Sequence, residues 1–348
     1  MPAIRDILAQ ETVEASAPCR IDMGGTLDLS TFYRPLRHLE PCTFNLALDM
    51  RTRVRLAPGP AGKLKISSRG FEGVEVDARH APFDHPLGLM MAVALFFKAD
   101  GVHIDIQSAS PPRSALGGSS VAAVALVWAF YKARAKIGEP LPKRGEVARL
   151  AQSIEQTVAG VPCGLQDQLA AVYGGGNAWY WRADHSYRPY KRVAVVAPQE
   201  VARMAARIMV AYCGAPHMSR DVNSTWVRQF EAGEKHDAWH KIVVSARKFV
   251  TALAQGDISV AQEMMNQETE LRCDLTPEVL DETGAALVRA ARKFHCGARF
   301  TGAGGGGCIW ALGQPEQLAS LRPAWEKIVA RQATAQILPV GIDTVGLL

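Results

Sequence analysis

The chain has 348 residues, 48% of them hydrophobic, so it can bury a substantial core, and its length predicts two lobes. Its formal charge of +5 is spread along the sequence without a block of basic residues, which excludes a nucleic-acid-binding arm and suits an anionic small substrate. No apolar stretch reaches the roughly 18 to 20 residues of a membrane span, and the 7 scattered cysteines contain no Cys-x-x-Cys pair of a zinc or redox centre.

The first residues carry Arg5, Asp6 and Glu11 and no apolar segment, so no signal peptide is expected and the thiols read as reduced and cytoplasmic. Alternation over 17–23, 43–56 and 63–76 predicts strands. A helix is expected over 84–98 and a strand over 102–106. After the turn at 108–112 and a cluster of glycine and serine, helices are expected over 121–136 and 146–158. Glycines at 174–176 break the chain before a segment at 177–181. The change of lobe is placed near 190. Beyond it a strand at 206–213 precedes helical patterns over 219–233, 236–255, 258–271 and 277–294. A second glycine break at 301–307, a strand at 308–312, a helix at 315–331 and a strand at 336–343 complete the reading.

The stretch from Pro111 to Ser120 (Pro-Pro-Arg-Ser-Ala-Leu-Gly-Gly-Ser-Ser) joins a strand to a helix. A triphosphate needs many donors at close range, and such a turn supplies backbone N–H groups together with the positive end of a helix dipole. Gly117 and Gly118 allow close approach, and Ser119 and Ser120 add hydroxyls. The same residues could equally make only a turn and a helix cap. No Gly-x4-Gly-Lys-Ser/Thr loop occurs. The run from Gly302 to Gly307 satisfies Gly-x-Gly-x-x-Gly, but Cys308 to Leu312 continues it as a strand instead of opening a helix, so a dinucleotide fingerprint is rejected.

Glu155, on a helix, and Asp167, in the loop sequence 160–168, could meet at one site, one holding Mg²⁺ and the other receiving a hydroxyl proton, or could be solvated surface carboxylates. Arg20 could stabilise charge on a transferred group and depress the pKa of Asp167, or form an ordinary ion pair.

In this order these pieces resemble the GHMP kinase superfamily of galactokinases, homoserine kinases, mevalonate kinases and phosphomevalonate kinases, over nearly the whole chain. Residues 17–29 look like its first motif, 113–122 like its phosphate motif and 301–308 like its third. Residues 160–168 are similar to the galactokinase pattern Gly-x-Pro-Cys-Gly-x-x-Asp-Gln. The resemblance implies an ATP-dependent α+β fold of two lobes. An N-terminal lobe, 1–190, would contain a left-handed βαβ unit, and a C-terminal lobe, 191–348, would be ferredoxin-like. It implies Asp167 as the catalytic aspartate, Arg20 beside the reacting hydroxyl, and Ser119 and Glu155 as Mg²⁺ ligands. Pro112, Ser114, Ala115, Leu116, Gly117, Gly118, Ser119 and Ser120, with Gly304 and Gly305, would hold ATP. Asp28, Gly25, Gly164 and Arg20 would hold the substrate.

Two departures bear on substrate. Where galactokinases have Gly-Glu-His-Thr-Asp, this chain has Gly25-Thr26-Leu27-Asp28, and residues 20–33 look more like the heptose 7-phosphate 1-kinase and fucokinase branch. In the phosphate motif, Ala115 replaces the first glycine and Gly118 a serine. The resulting expectation is transfer of the ATP γ-phosphoryl group to a sugar hydroxyl, the anomeric one of a heptose 7-phosphate or related hexose. A silent sugar and ATP sensor, and a mevalonate-branch kinase or decarboxylase, are the alternatives, and a homodimer is left open. Arg34, Arg37, His217 and Arg220 are candidates for a distal phosphate. His236 and His240, four apart but without a third ligand, are read as exposed helix residues.

Overall fold

In the computed structural model, which describes residues 4–160, 163–214 and 219–348 and side chains other than those of 219–221, the chain opens with helix α1 (Ile4–Gln10). Strand β1 (Val13–Met23), helix α2 (Ser30–Tyr33) and strands β2 (Cys42–Pro58), β3 (Lys63–Ser68) and β4 (Val74–Asp77) follow. The strand expected over 63–76 is thus two antiparallel strands. Helix α3 (Gly88–Phe96) leads to β5 (Val102–Ser108), α4 (Gly118–Ala135), α5 (Arg144–Ala159) and α6 (Gln166–Tyr173). Strands β6 (Gly176–Trp181) and β7 (Tyr190–Val196) complete a seven-stranded sheet in which β2 pairs with β1, β5 and β6. Within that sheet β3 and β5 run parallel, joined through β4 and α3.

Helix α4 is apolar nearly all round, and Val121 to Val127 are all buried, because it lies in the middle of the first lobe. It packs on β1 and β2 on one side and on α5 and α6 on the other. This fixes its N-terminus at the end of the sheet, where Gly117, in the left-handed region at φ 79°, turns the loop into the helix.

The second lobe begins with α7 (Val201–Ala205) and β8 (Ile208–Tyr212). Helices α8 (Ser219–Glu231), α9 (His236–Gln255), α10 (Ile258–Leu275) and α11 (Glu282–Lys293) precede β9 (Gly297–Phe300), β10 (Cys308–Leu312), α12 (Pro315–Val329) and β11 (Gln336–Leu338). Its four strands lie in the order β11-β8-β10-β9, all antiparallel, which is the βαββαβ order of a ferredoxin-like sheet. The glycines of 301–307 connect β9 to β10 as a hairpin, so no helix follows them.

The expected strand at 336–343 is shorter, because beyond β11 the chain returns to the first lobe. Ile342 bridges Leu48, Gly175 donates to the Asp343 carbonyl, and Ser16 and Leu348 exchange backbone hydrogen bonds. Arg51 on β2 clamps this return. It pairs with Asp343 and donates to the carbonyls of Ser16 (2.8 Å) and Gly346 (2.6 Å). Arg51→Met leaves Asp343 unpaired and is expected to lower unfolding stability by about 3 kcal/mol; a urea midpoint equal to that of the natural chain would contradict this account.

Candidate active site

Strand β1 carries the first site residues. Its pairing with β2 slips between Pro18 and Arg20, and a bulge of this kind re-aims the following side chains. Arg20 and Asp22, two apart on a strand, share one face. The Arg20 backbone N–H donates to the Leu116 carbonyl at 3.1 Å and its guanidinium to the Ala115 carbonyl at 2.6 Å, so the phosphate-like loop is tied to β1 at both residues. On its other edge the guanidinium meets Asp167, with Nε and Nη2 at 2.8 and 2.7 Å from Oδ1.

Asp167 lies in the first turn of α6, not in a loop as the sequence suggests. A Cβ built on Gly117 would stand 3.1 Å from its Oδ2, so the second carboxylate oxygen faces the turn into α4. Burial raises the Asp167 pKa, and Arg20 offsets this only in part. Arg20 thus lowers the Asp167 pKa as expected, but the desolvation cost of the site exceeds the gain from one guanidinium and the net shift is upward.

Asp28 sits beside this pair. Its Oδ2 accepts the Gln166 N–H at 3.1 Å, and a Cβ on Gly164 would fall 1.8 Å from the same oxygen, so only glycine leaves room for the carboxylate. Burial, with the Asp167 charge adding to it against backbone hydrogen bonds, pushes Asp28 up to about 6. Gln166 is held in turn by Asn45 (2.9 Å), which accepts from Trp179 (2.7 Å).

Across the loop, the first amides of α4 point out of its N-terminus, since the first backbone bond of the helix runs from the Val121 N–H to the Gly117 carbonyl. Pro112 is exposed, Ser114 and Leu116 are buried, and Ala115 takes a positive φ of 61° at the position where the family motif has glycine. Ser119 is exposed at the helix start, whereas the Ser120 hydroxyl lies 3.0 and 2.8 Å from the two oxygens of Glu155. Gln168 donates to Glu155 at 2.7 Å, and its own Oε1 is buried with no hydrogen-bond partner.

The third glycine segment backs the phosphate-like loop. A Cβ on Gly307 would meet the Ala115 Cβ at 2.7 Å and the Ser114 carbonyl at 2.8 Å. Gly304 and Gly305, expected at the nucleotide, turn inward: their amides donate to the carbonyls of Thr301 (3.3 Å) and Val279 (2.9 Å). The Gly302 amide donates to Asp22 Oδ1 at 2.7 Å, while a Cβ on Gly25 would stand 2.4 Å from Asp22 Oδ2.

Asp22 opens a buried series of alternating charges. It lies 3.4 Å from Arg20 and 2.9 Å from Arg299 on β9; Arg299 meets Glu268 on α10 at 2.8 Å, and Glu268 meets Arg272 one turn on at 3.0 Å. Burial alone would raise the Glu268 pKa, but Arg299 and Arg272 outweigh it and hold it below the usual carboxylate range.

Of the other expected positions, Arg34 and Arg37 are exposed, while His217 and the side chain of Arg220 lie outside the described residues, as do Val161 and Pro162. His236 is exposed on Phe230, and no cluster of three or more His, Cys, Asp or Glu that could hold a metal occurs among the described residues. No described helix is long and apolar enough to cross a membrane.

The chain matches the GHMP kinases N-terminal domain over residues 88–175 and the GHMP kinases C-terminal domain over residues 249–330. It belongs to the GHMP kinase family. A mevalonate kinase of Pyrococcus abyssi is 26% identical over 332 residues, covering 88% of this chain and 90% of that one. A galactokinase of Roseiflexus sp. is 28% identical over 278 residues, 68% of each. The crystal structure of a D-glycero-D-manno-heptose 1-phosphate kinase from Bacteroides thetaiotaomicron superposes with a TM-score of 0.70 at 18% identity, over 96% and 97% of the two chains. This GHMP kinase is an ATP-dependent phosphotransferase.

Sequence reasoning missed Asp22, Glu268, Arg272 and Arg299 of the kinase's polar framework, and the contact between Ser120 and Glu155. One signal was available. Met264, Met265, Glu268, Arg272 and Leu275 all fall on the buried stripe of α10, so the two charges occupy core positions and had to find partners.

Burial pushes the Glu155 pKa up to about 7, with the Ser120 hydrogen bond opposing and the Asp167 charge adding. The folded chain then keeps a proton that the unfolded chain has released, so this group's contribution to stability falls as pH rises from its ordinary value of 4.5 to about 7. In nucleotide-free urea unfolding, Glu155→Gln is expected to gain stability relative to the natural kinase by on the order of 2 kcal/mol between pH 5 and pH 8. A difference that is the same at both pH values would contradict the raised pKa.

Proposed function

We propose that this GHMP kinase transfers the γ-phosphoryl group of ATP to a sugar hydroxyl, the anomeric C1 hydroxyl of a heptose 7-phosphate or a related hexose. The observation that carries the reading is the second carboxylate: Asp28, clasped by Gly164 and the Gln166 amide, lies beside the Arg20–Asp167 pair. Vicinal sugar hydroxyls are donors and suit two carboxylate acceptors. An acceptor that is itself a carboxylate would meet like charge there.

In this reading Asp167 orients the acceptor hydroxyl and takes its proton as the new O–P bond forms and the bond to the leaving phosphate breaks. Arg20 compensates negative charge on the transferred group from a position fixed by Asp167, Asp22 and the Ala115 carbonyl. The free amides at the start of α4 face the triphosphate, and Gly117 keeps Asp167 close to that loop. Glu155 with Ser119 or Ser120 would hold Mg²⁺, and the unpartnered, buried Oε1 of Gln168 fits a polar ligand beside them. When bound, Mg²⁺ would neutralise charge on the phosphates.

A mevalonate-branch acceptor is the second reading, favoured by the match to an archaeal mevalonate kinase over 88% of this chain. ATP consumption measured over heptose 7-phosphate, fucose, galactose, mannose and mevalonate separates the two. Turnover on mevalonate alone would overturn the sugar assignment. On the acceptor so identified, Asp167→Asn is expected to bind ATP as the natural kinase does and to lose turnover by roughly a hundredfold or more; near-normal turnover would remove Asp167 from the reaction.

A further inference from the structure

We propose that Arg272 is a positioning residue for the phosphoryl-transfer site: from α10 of the second lobe it holds the turn 24–28 of the first lobe in the conformation that presents Arg20 and Asp28. The inference does not depend on which acceptor the kinase uses.

The turn is strained at an unusual place. Thr26 has φ 71°, a left-handed backbone that a β-branched residue adopts only when its surroundings impose it. The imposing group is Arg272. Arg272 Nη1 donates to the Thr26 hydroxyl at 2.8 Å and Nη2 to the Gly25 carbonyl at 2.6 Å. Both contacts cross between the lobes.

Every part of this guanidinium is committed. Its Nε donates to Glu268 at 3.0 Å, and its carbon lies 4.6 and 4.8 Å from the ring centres of Trp226 and Trp239. Arg272 is fully buried and Thr26 is 5% exposed, so water cannot stand in for either partner. Only a planar fork satisfies Glu268, Thr26 and Gly25 together; a lysine ammonium could satisfy Glu268 but not all three. Two residues beyond Thr26 the turn delivers Asp28, and two residues before Gly24 it begins at Asp22, which braces Arg20. Holding the turn therefore sets both ends of the acceptor site.

The test is amide hydrogen exchange on the nucleotide-free kinase, with Mg·ATP affinity measured in parallel. Arg272→Lys keeps the charge and removes the fork; Thr26→Val removes only the hydroxyl and leaves the tryptophan packing intact. Thr26→Val, which loses one buried hydrogen bond, is expected to speed exchange across 24–28 by about tenfold, and Arg272→Lys, which loses the fork that makes two, by at least about tenfold. Exchange over 117–125 and the Mg·ATP dissociation constant should stay within about twofold. Thr26→Ser, which retains the hydroxyl, should keep the natural pattern. Unchanged exchange at 24–28 in Thr26→Val would overturn the proposal. So would a rise spread evenly over α8, α9 and α10 in Arg272→Lys, since that marks a packing role alone.

Discussion

Six charges in alternating order run from the interior of the second lobe to the proposed reaction centre: Arg272, Glu268, Arg299, Asp22, Arg20 and Asp167. Taking such groups out of water is costly, and the cost is recovered only where each has its partner in good geometry. Removing one member leaves a buried charge unpaired, at about 3–5 kcal/mol. The series therefore tolerates few relative positions of the two lobes. The glycine segments fit around it: Gly302 donates to Asp22, and Gly307 lies against the loop that accepts from Arg20.

The proposed reaction centre inherits its properties from this arrangement. Asp167 is poised between a guanidinium that favours its ionised form and a burial that disfavours it. Glu155 and Asp28 are pushed up to about 7 and about 6 without any cation of comparable closeness. Full ionisation of the three carboxylates together is therefore disfavoured. A cation or a hydroxyl donor placed there would relieve this repulsion.

Much of this was legible in the sequence. The order of Arg20, the Gly117–Ser120 loop, Glu155, Asp167 and the 301–307 glycines carried the resemblance to the family, whereas the loop by itself fits a helix cap as well as a phosphate cradle. Other parts were not legible. Asp167 looked like a loop residue since Gly164 and Pro162 break the pattern just before it, yet α6 begins at Gln166. Helix α1 is too short to show a period, and β7 reads as polar because Lys191 and Arg192 are exposed on an edge strand. The return of residues 339–348 to the first lobe depends on Arg51 meeting Asp343, a pairing across almost 300 residues that no local pattern encodes. The cross-lobe charges were hidden for the same reason, although Glu268 and Arg272 on a buried helical stripe showed that partners had to exist.

The second lobe fixes the Arg20–Asp167 pair through Asp22. Asp22→Asn tests it most directly, because it removes one charge from the middle of the series while keeping the shape of the side chain. With Mg·ATP and the acceptor identified for the natural kinase, the variant is expected to keep an ATP dissociation constant within about twofold and to have a turnover number lowered by at least about tenfold. A turnover number equal to that of the natural kinase would contradict it.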